Sequence, residues 1–355
     1  MSLIERLDRF QRGHPKAGLP IAVFYKFADD QGNYLAALIT FYGFLSLVPL
    51  LLLSSTILNF TLEGHPDLQR ELFDSVLGQF PIVGTQLSDP NGVSGSGLGL
   101  AIGIVGTIYG GLGAAQAIQN AMNTVWRVPR NSRPNPLTGR LRSILLMVVL
   151  GLSILGTTAL AAIGSTVDAF PGLVKVVIGI GTFAINLAVF TVGFRLATAR
   201  DITLGQTLPG SLVAAAIWQA LQYVGAIYIS SVVRTASEVD SVFALVLGLM
   251  AWLYLESLVV VLAVEFNTVR SLNLYPRSLL TPFTDNVVLT AADEMSYTQQ
   301  AQAQRAKGFQ QITVNFDPAE DPAEGSGGVA DDGREGEEHD GRPGQVGQHR
   351  RQDAP

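Results

Sequence analysis

Six long apolar runs constrain the fold of this chain more than any other feature of its sequence. Each is close to the ~20 residues that an α-helix needs to cross the ~30 Å hydrocarbon core of a bilayer. A soluble globular core rarely contains so many, and only 15% of the residues are charged, against about 25% in soluble domains. The sequence therefore predicts an all-α membrane protein, a bundle of six transmembrane helices. The predicted spans are residues 35–60, 97–118, 143–166, 173–196, 208–233 and 242–266.

The distribution of lysine and arginine predicts on which side of the membrane each connection lies. Basic residues concentrate in the N-terminal segment and after the second, fourth and sixth spans. Each of the other connections contains or borders a single Lys or Arg. Cytoplasmic segments carry the excess of Lys and Arg. The N- and C-termini are therefore predicted to be cytoplasmic, and an even number of spans leads to the same conclusion.

Three regions follow from this topology. Residues 1–34 are predicted to be a cytoplasmic amphipathic N-terminal segment. The transmembrane domain, residues 35–275, includes a long outer connection at 61–96, in which we expect an amphipathic helix on the outer interface. Residues 276–355 form a cytoplasmic tail, which is predicted to be disordered and acidic from about residue 317, because acids outnumber bases there and aliphatic residues are rare.

The N-terminal segment contains a weak amphipathic helix pattern. Leu3, Leu7 and Phe10 share one side, and basic residues occupy the other. Such a helix either lies on the anionic inner leaflet or is an ordinary solvated helix. The pattern leaves both alternatives open.

Two glutamates interrupt the last apolar run. A carboxylate at the bilayer centre costs ~3 kcal/mol on insertion scales. Glu256 and Glu265 point to opposite faces of a helix that turns by about 100° per residue, so they are not expected to act as a pair. Glu265 lies at the cytoplasmic end and is predicted to form a structural ion pair with Arg195. Glu256 has no basic residue at its depth, so it is either protonated and hydrogen-bonded or faces a wet cavity, and it is the best single functional candidate.

Amide side chains in other spans, together with Glu256, form a candidate polar pathway between the helices. Such groups need partners in lipid, and hydrogen bonds between helices are favoured over contacts with a substrate. Pro49 removes a backbone hydrogen bond within the first span and predicts a helix break there. The full set of candidate pathway residues is Glu256, Gln116, Asn120, Asn123, Asn186, Gln219, Gln222 and Tyr223.

Two further local patterns concern helix packing and helix ends. Gly106 and Gly110 have the small-xxx-small spacing that lets two helix backbones approach closely. Thr207 is predicted to cap the fifth span, with Pro209 in its first turn, where the missing N–H has little effect.

The sequence offers no support for an enzyme. The chain has no cysteine, which excludes disulfides, iron–sulfur clusters and thiol catalysis, and its four histidines are scattered through loops and tails. No catalytic, cofactor-binding or metal-ligating residues are therefore predicted. The arginines at 127–142 are explained by a cytoplasmic connection, so no nucleic acid is expected as a partner.

Four segments resemble a known family. They are LAALITFYGFLSLVPLLLL (35–53), AIQNAMNTVWRVPR (117–130), LPGSLVAAAIWQALQYVGAIYIS (208–230) and VLGLMAWLYLESLVVVLAVEFN (246–267). In this order and spacing they resemble the signatures of the YihY/BrkB family of bacterial inner-membrane proteins, over roughly residues 20–275. The resemblance implies six transmembrane helices in the bacterial cytoplasmic membrane. It also implies that Glu265 matches the acidic residue ending the last helix, that Asn120 and Asn123 lie in the second-helix motif, and that Glu256 replaces an uncharged residue.

The same resemblance implies a role in envelope integrity or virulence, with suspected export or flipping of lipid-linked material. The leading hypothesis is therefore transport or flipping of an amphipathic or lipid-linked envelope component, with membrane lipids as partners. The alternative is a scaffold that does not transport and that recruits partners through its loops and acidic tail. A membrane ribonuclease, an old label of the family, is least favoured because no catalytic set is present. The sequence does not fix the substrate or the oligomeric state.

Overall fold

The part of the chain that the structure describes consists of helices and their connections, with no β-strand there. This structure, a computed structural model, describes residues 3–61, 97–165, 171–232, 238–281, 284 and 287–316. Its α-helices are α1 (Leu3–Gly13), α2 (Leu19–Asp29), α3 (Gly32–Thr61), α4 (Gly97–Val125), α5 (Pro136–Ser165), α6 (Pro171–Ala197), α7 (Leu204–Val232), α8 (Glu238–Leu272) and α9 (Ala291–Ala303).

The six helices α3 to α8 correspond to the six predicted apolar runs. They have 27 to 35 residues each. Three segments are long and apolar enough to cross a membrane within the described residues: Pro136–Leu160 in α5, Gly172–Ala197 in α6 and Val246–Leu272 in α8. Gly32–Leu47 in α3 is a shorter apolar helix. The described fold is thus an all-helical protein with three candidate membrane spans.

Within the described residues, helices α3 and α4 make the most extensive contact between helices. Gly110 is buried in this contact, where an added Cβ would lie 2.6 Å from the Ser46 Cα atom. Gly113 faces the Tyr42 ring in the same contact, and a Cβ there would overlap that ring. Only a residue without a side chain lets the two backbones approach this closely, which is the packing that the small-xxx-small pattern indicates.

The predicted start of the fifth span is wrong. Helix α7 begins at Leu204, one turn before Thr207 and Pro209. The Thr203 backbone N–H donates to Gln206 Oε1 at 2.9 Å, which is half of a capping box. This T-x-x-Q pattern sets the helix start, and Pro209 consequently lies inside the helix.

Asn267 of α8 supports α7 around Pro209. Its Oδ1 accepts from the Gly210 N–H at 2.7 Å, and its Nδ2 donates to the Thr207 carbonyl at 2.9 Å. A Cβ on Gly210 would overlap the Ala263 carbonyl oxygen, so the two helices touch backbone to backbone here. Proline leaves the Gly205 carbonyl without its intrahelical donor, and Arg270 of α8 donates to that carbonyl at 3.4 Å.

A small helical layer lies at one end of the long helices, and we call residues 3–31 and 273–316 the cap. Within it, Ala22 and Val23 of α2 form a core with Val269 and Leu274 at the end of α8. Helix α9 begins with a complete capping box, in which the side chains of Thr290 and Asp293 each accept from the other residue's backbone N–H. Helix α9 lies within the segment that the sequence assigns to the C-terminal tail, before residue 317, from which disorder is predicted.

Some predictions fall outside the described residues. These are the amphipathic helix in the connection 61–96 and the disorder of the acidic tail from residue 317. Pro49 lies within α3, which is helical from Gly32 to Thr61. Its side-chain surroundings also lie outside the described part.

Candidate functional site

Four charged side chains meet where the cap joins the bundle, and we call Lys26, Asp30, Arg127 and Glu265 the ion cluster. Lys26 Nζ donates to Asp30 Oδ2 at 2.6 Å, to Glu265 Oε2 at 2.8 Å and to the Val125 carbonyl at 2.8 Å. Arg127 Nη1 lies 2.6 Å from Asp30 Oδ1. The four side chains are at most 5% exposed. Two positive and two negative charges thus balance in a buried site that joins α2, α8 and the end of α4.

Lys26 is well suited to the centre of this cluster. An ammonium group has three N–H donors, and all three have an oxygen partner here. One partner, the Val125 carbonyl, belongs to the last turn of α4, where the carbonyls have no intrahelical donor and the helix dipole favours a cation.

Arg127 holds an unusual backbone conformation next to this point. Its φ is +54°, in the left-handed region that costs a residue with a side chain about 1–2 kcal/mol. The Val128 N–H bonds to the Asn123 carbonyl at 2.9 Å and the Arg127 N–H to the Thr124 carbonyl at 3.0 Å, the pattern of a Schellman motif, whose left-handed residue is usually glycine. An arginine is accommodated here because its side chain reaches Asp30.

The predicted ion pair between Glu265 and Arg195 needs correction, because the structure pairs each residue elsewhere. Glu265 bonds Lys26, while Arg195 Nε donates to the Ile202 carbonyl at 3.1 Å and closes the turn after α6. Glu265 faces α2 rather than α6. Its partner Lys26 comes from the segment predicted to be a cytoplasmic N-terminal region, outside the transmembrane domain 35–275.

A second charged group holds the cap together around Arg277. Its Nε donates to Asp293 Oδ1 at 2.7 Å, its Nη1 donates to Asp29 Oδ2 at 2.6 Å, and its guanidinium lies 5.1 Å from the centre of the Tyr297 ring. Burial lowers the pKa of Arg277, but Asp29 and Asp293 outweigh it, so the net direction is upward. Arg277 is therefore a permanent cation that links the N-terminal and C-terminal parts of the cap.

Tyrosines complete this part of the cap. The Tyr25 hydroxyl donates to the Leu279 carbonyl at 2.6 Å. Burial raises the pKa of both Tyr25 and Tyr297 above the usual value for tyrosine. Both side chains are thus neutral at physiological pH.

The connections that are rich in basic residues all meet at this end of the bundle. The Asn131 N–H, after α4, donates to the Arg305 carbonyl of the cap at 3.1 Å. The Ala199 N–H, after α6, donates to Asn123 Oδ1 at 2.8 Å. Together with the Arg277–Asp29 contact, these bonds place the N-terminal segment, the connections after α4 and α6, and the segment after α8 on one side.

Glu256 is buried in α8 and hydrogen-bonded. Its side chain accepts from Trp252 Nε1 at 2.8 Å, one turn away on the same helix, and the residue is only 6% exposed. The neighbouring Ser257 contacts Thr40 of α3 through their hydroxyls at 3.2 Å. Glu256 therefore lies beside a polar contact between α3 and α8.

The predicted amides of α4 do not lie in one place. Asn123 is buried and, as noted, bonded to the connection after α6, whereas Asn120 is exposed and accepts from Arg133 at 2.9 Å. Gln116 is also exposed. Asn186 and Gln222, on α6 and α7, are half-buried. The structure thus distributes these five amides among several surroundings.

A groove between α6 and α7 contains the remaining two candidates, Gln219 and Tyr223. Its volume is about 500 Å³, and we call it the α6–α7 groove. The Gln219 Oε1 atom is buried and has no hydrogen-bond partner. The full lining consists of Lys175, Val176, Gly179, Ile180, Phe183, Gln219 and Tyr223. Most of the wall is apolar, with a cation near the N-terminus of α6 and an unpaired amide carbonyl in the middle of α7.

Comparison with known proteins identifies the family. Residues 23–283 match the family model described as virulence factor BrkB. The chain belongs to this family. The BrkB match contains the whole ion cluster, the α6–α7 groove and Arg277, whereas α1 and α9 lie outside it.

Relatives of this BrkB-family chain include named membrane proteins. Inner membrane protein YhjD of Escherichia coli (strain K12) is 23% identical over 252 residues, covering 64% of this chain and 74% of the relative. A UPF0761 membrane protein of Psychrobacter sp. (strain PRwf-1) is 26% identical over 282 residues, covering 73% of this chain but 50% of the relative. The chain therefore spans about half the length of the latter. No solved structure matches the chain significantly.

The charged residues of the cap are those that we did not predict from the sequence. Lys26 and Asp30 have the i, i+4 spacing of a helical ion pair, and Lys26 follows the apolar stretch LPIAVFY. A lysine in such a stretch indicates a buried cation that needs an acidic partner. Glu265, for which the sequence predicts Arg195 as the partner, is the acid that Lys26 binds.

Proposed function

We propose that the protein crosses the cytoplasmic membrane six times, with both termini in the cytoplasm, and moves an amphipathic envelope component between the leaflets. Three described segments have the length and apolar character of spans. The four segments rich in basic residues meet at one end of the bundle, as expected if all of them are cytoplasmic. An even number of spans is required when both termini lie on one side.

The α6–α7 groove is the observation that carries the transport proposal. Its apolar wall offers contact to a hydrocarbon chain, while Gln219 Oε1 lacks a donor and Lys175 provides a positive charge. A buried amide oxygen without a partner costs about 1–3 kcal/mol, which a ligand carrying a hydroxyl or amide N–H would recover. An amphiphile with a polar or anionic head satisfies both parts of the groove.

Lys175 defines the end of the groove at which the head of the ligand would lie. It is the fifth residue of α6, in a helix that has no acidic residue in its first turn. The positive end of the helix dipole disfavours a lysine at this position unless an anion is close. In the proposed topology this end faces the outer leaflet.

Glu256 is a second element of the proposed pathway. Its bond from Trp252 requires only an acceptor oxygen, which glutamine also has. Glu256→Gln therefore preserves the hydrogen bond while removing the ionisable group. A loss of function in this variant would assign a role to the charge or proton of Glu256, whereas full function would assign it a structural role.

Leaflet-resolved analysis of envelope lipids in a deletion strain tests the proposal. The strain is complemented with wild type, with Lys175→Gln/Gln219→Leu, or with Gln116→Leu as a control for an exposed amide outside the groove. We expect a lipid class to accumulate in the inner leaflet, and to be cleared by wild type and by Gln116→Leu but not by the groove variant. An unchanged lipid distribution in the deletion strain would contradict transport.

A further inference from the structure

Helix α1 is attached to the rest of the cap along one side. Asp8 Oδ1 accepts from the Leu279 N–H at 3.0 Å. Gln11, which is 2% exposed, donates through Nε2 to the Arg277 carbonyl. These two residues lie three apart, on the same side of a helix with about 3.6 residues per turn. The orientation of α1 about its own axis is thereby fixed.

Two large apolar side chains remain more than half exposed on the adjacent side of α1, although the Phe10 ring stacks on His14 at 4.7 Å between ring centres. Leu7 is 52% exposed and Phe10 is 57% exposed. The next side around the helix carries Arg6 and Arg9, which are also exposed. An apolar strip bordered by basic residues is the arrangement of a helix that lies in a membrane interface.

The attachment of α1 keeps this strip close to the membrane. Arg277 and Leu279 follow the last candidate span, which ends at Leu272, by only five and seven residues. At no more than about 3.5 Å per residue, Leu279 lies within about 25 Å of the end of that span. The helix that Leu279 holds is therefore near the bilayer surface.

The charge on α1 indicates which kind of surface it meets. Asp8 is paired with Arg12 at 2.6 Å, and the exposed Arg6 and Arg9 place two further cations beside the apolar strip. We propose that α1 lies on the anionic lipid surface at this end of the bundle, with Leu7 and Phe10 inserted at headgroup level. This inference requires only that α8 spans the membrane, and it holds whether or not the protein transports a lipid.

Site-directed spin labelling tests this placement in the full-length protein. The chain has no cysteine, so Phe10→Cys and Phe309→Cys each give a single labelling position without further substitutions. Phe309 is a solvent reference, because it is 90% exposed in a turn of the cap. The labelled proteins are reconstituted in nanodiscs with or without anionic phospholipid, and collisions of the label with oxygen and with a water-soluble nickel chelate are measured.

In anionic nanodiscs, we expect the label at position 10 to collide more with oxygen and less with nickel than the label at 309. Replacing both Arg6 and Arg9 with Gln should reduce the inserted population about fivefold for each charge. Nickel accessibility at position 10 equal to that at 309 would show a solvated helix and overturn the proposal. Protection of position 10 from both reagents would mean that a protein surface covers α1, and it would overturn the proposal as well.

Discussion

Lys26 and Glu265 lie 239 positions apart in the chain, yet Lys26 Nζ and Glu265 Oε2 are 2.8 Å apart with both side chains fully buried. The pair joins α2, near the N-terminus, to α8, the last long helix. Taking two charges out of water is expensive, and mutual attraction repays this only with good geometry and further hydrogen bonds. The bonds from Lys26 to Asp30 and to the Val125 carbonyl complete the hydrogen bonding of the ammonium group, whereas Glu265 Oε1 is buried without a hydrogen-bond partner.

Removing the cation from this site should therefore destabilise the protein strongly. We expect Lys26→Met to lower the free energy of unfolding by about 3–5 kcal/mol, because Glu265 is left as an uncompensated buried charge. Lys26→Met/Glu265→Met should recover most of that loss. Thermal unfolding of the purified protein in detergent measures both, with the exposed Lys16→Met as control. An unchanged unfolding temperature for Lys26→Met would contradict the buried pairing.

Arg127 and Gln31 provide a matched comparison, because both have a positive φ, +54° and +55°. Glycine removes the left-handed strain of about 1–2 kcal/mol at either position. Gln31 is exposed, so Gln31→Gly should be neutral or slightly stabilising. Arg127→Gly also removes the partner of Asp30 and should be destabilising. The measurement is the change in unfolding free energy of each variant, which should have opposite signs if Gln31→Gly stabilises. Equal changes would mean that the Arg127–Asp30 pair contributes nothing to stability.

The cap should lose stability at alkaline pH. The pKa values of Tyr25 and Tyr297 are raised by burial, so the folded state keeps the tyrosine protons to a higher pH than the unfolded state. The stability that these groups contribute is fully present below about pH 10, their unfolded pKa, and falls as pH rises through the folded values. Unfolding temperatures measured from pH 8 to pH 11 should be flat and then fall. For Tyr25→Phe/Tyr297→Phe, the unfolding temperature should be lower at pH 8 and should fall less toward pH 11. If the unfolding temperatures of wild type and variant fall equally with pH, deprotonation of these tyrosines is not the cause.

The contact between α3 and α4 should tolerate no methyl group at Gly110. A Cβ there would lie 2.6 Å from the Ser46 backbone, so Gly110→Ala must separate the helices and should destabilise by about 1–3 kcal/mol. Gly151→Ala on α5 has nothing within 4 Å of the added Cβ and should be neutral or stabilising by up to about 1 kcal/mol. Expression level and unfolding temperature are measured for Gly110→Ala and Gly151→Ala. Similar values for the two variants would argue against close packing at Gly110.

The long helices could be predicted from the sequence because hydrophobic run length depends on local composition alone. The position of Glu265 near the end of the last helix followed from the same pattern. Its partner did not, because the choice between Arg195 and Lys26 depends on which helix faces Glu265, and run length contains no information about neighbours.

The cap was missed for a related reason. Residues 273–316 are polar enough to resemble a tail, and their order depends on long-range bonds such as those of Arg277 with Asp29 and Asp293. The T-x-x-D capping box at Thr290 was a local signal that could have indicated α9. The α6–α7 groove needed both helices in place, since Lys175 and Gln219 lie far apart in the sequence.

Lipid movement across a reconstituted bilayer tests the transport proposal most directly. Proteoliposomes made from bacterial inner-membrane lipids carry phosphatidylglycerol with a fluorescent head group, and an impermeant reductant reports its arrival in the outer leaflet. Gly179→Trp fills the groove, while Gly193→Trp places the same side chain on the same helix about 21 Å away; neither position has an atom within 4 Å of an added Cβ.

We predict that wild type and Gly193→Trp accelerate lipid movement over protein-free vesicles, and that Gly179→Trp does not. Wild-type protein that moves lipid no faster than empty vesicles, or Gly179→Trp that moves it as fast as wild type, would contradict transport through the α6–α7 groove.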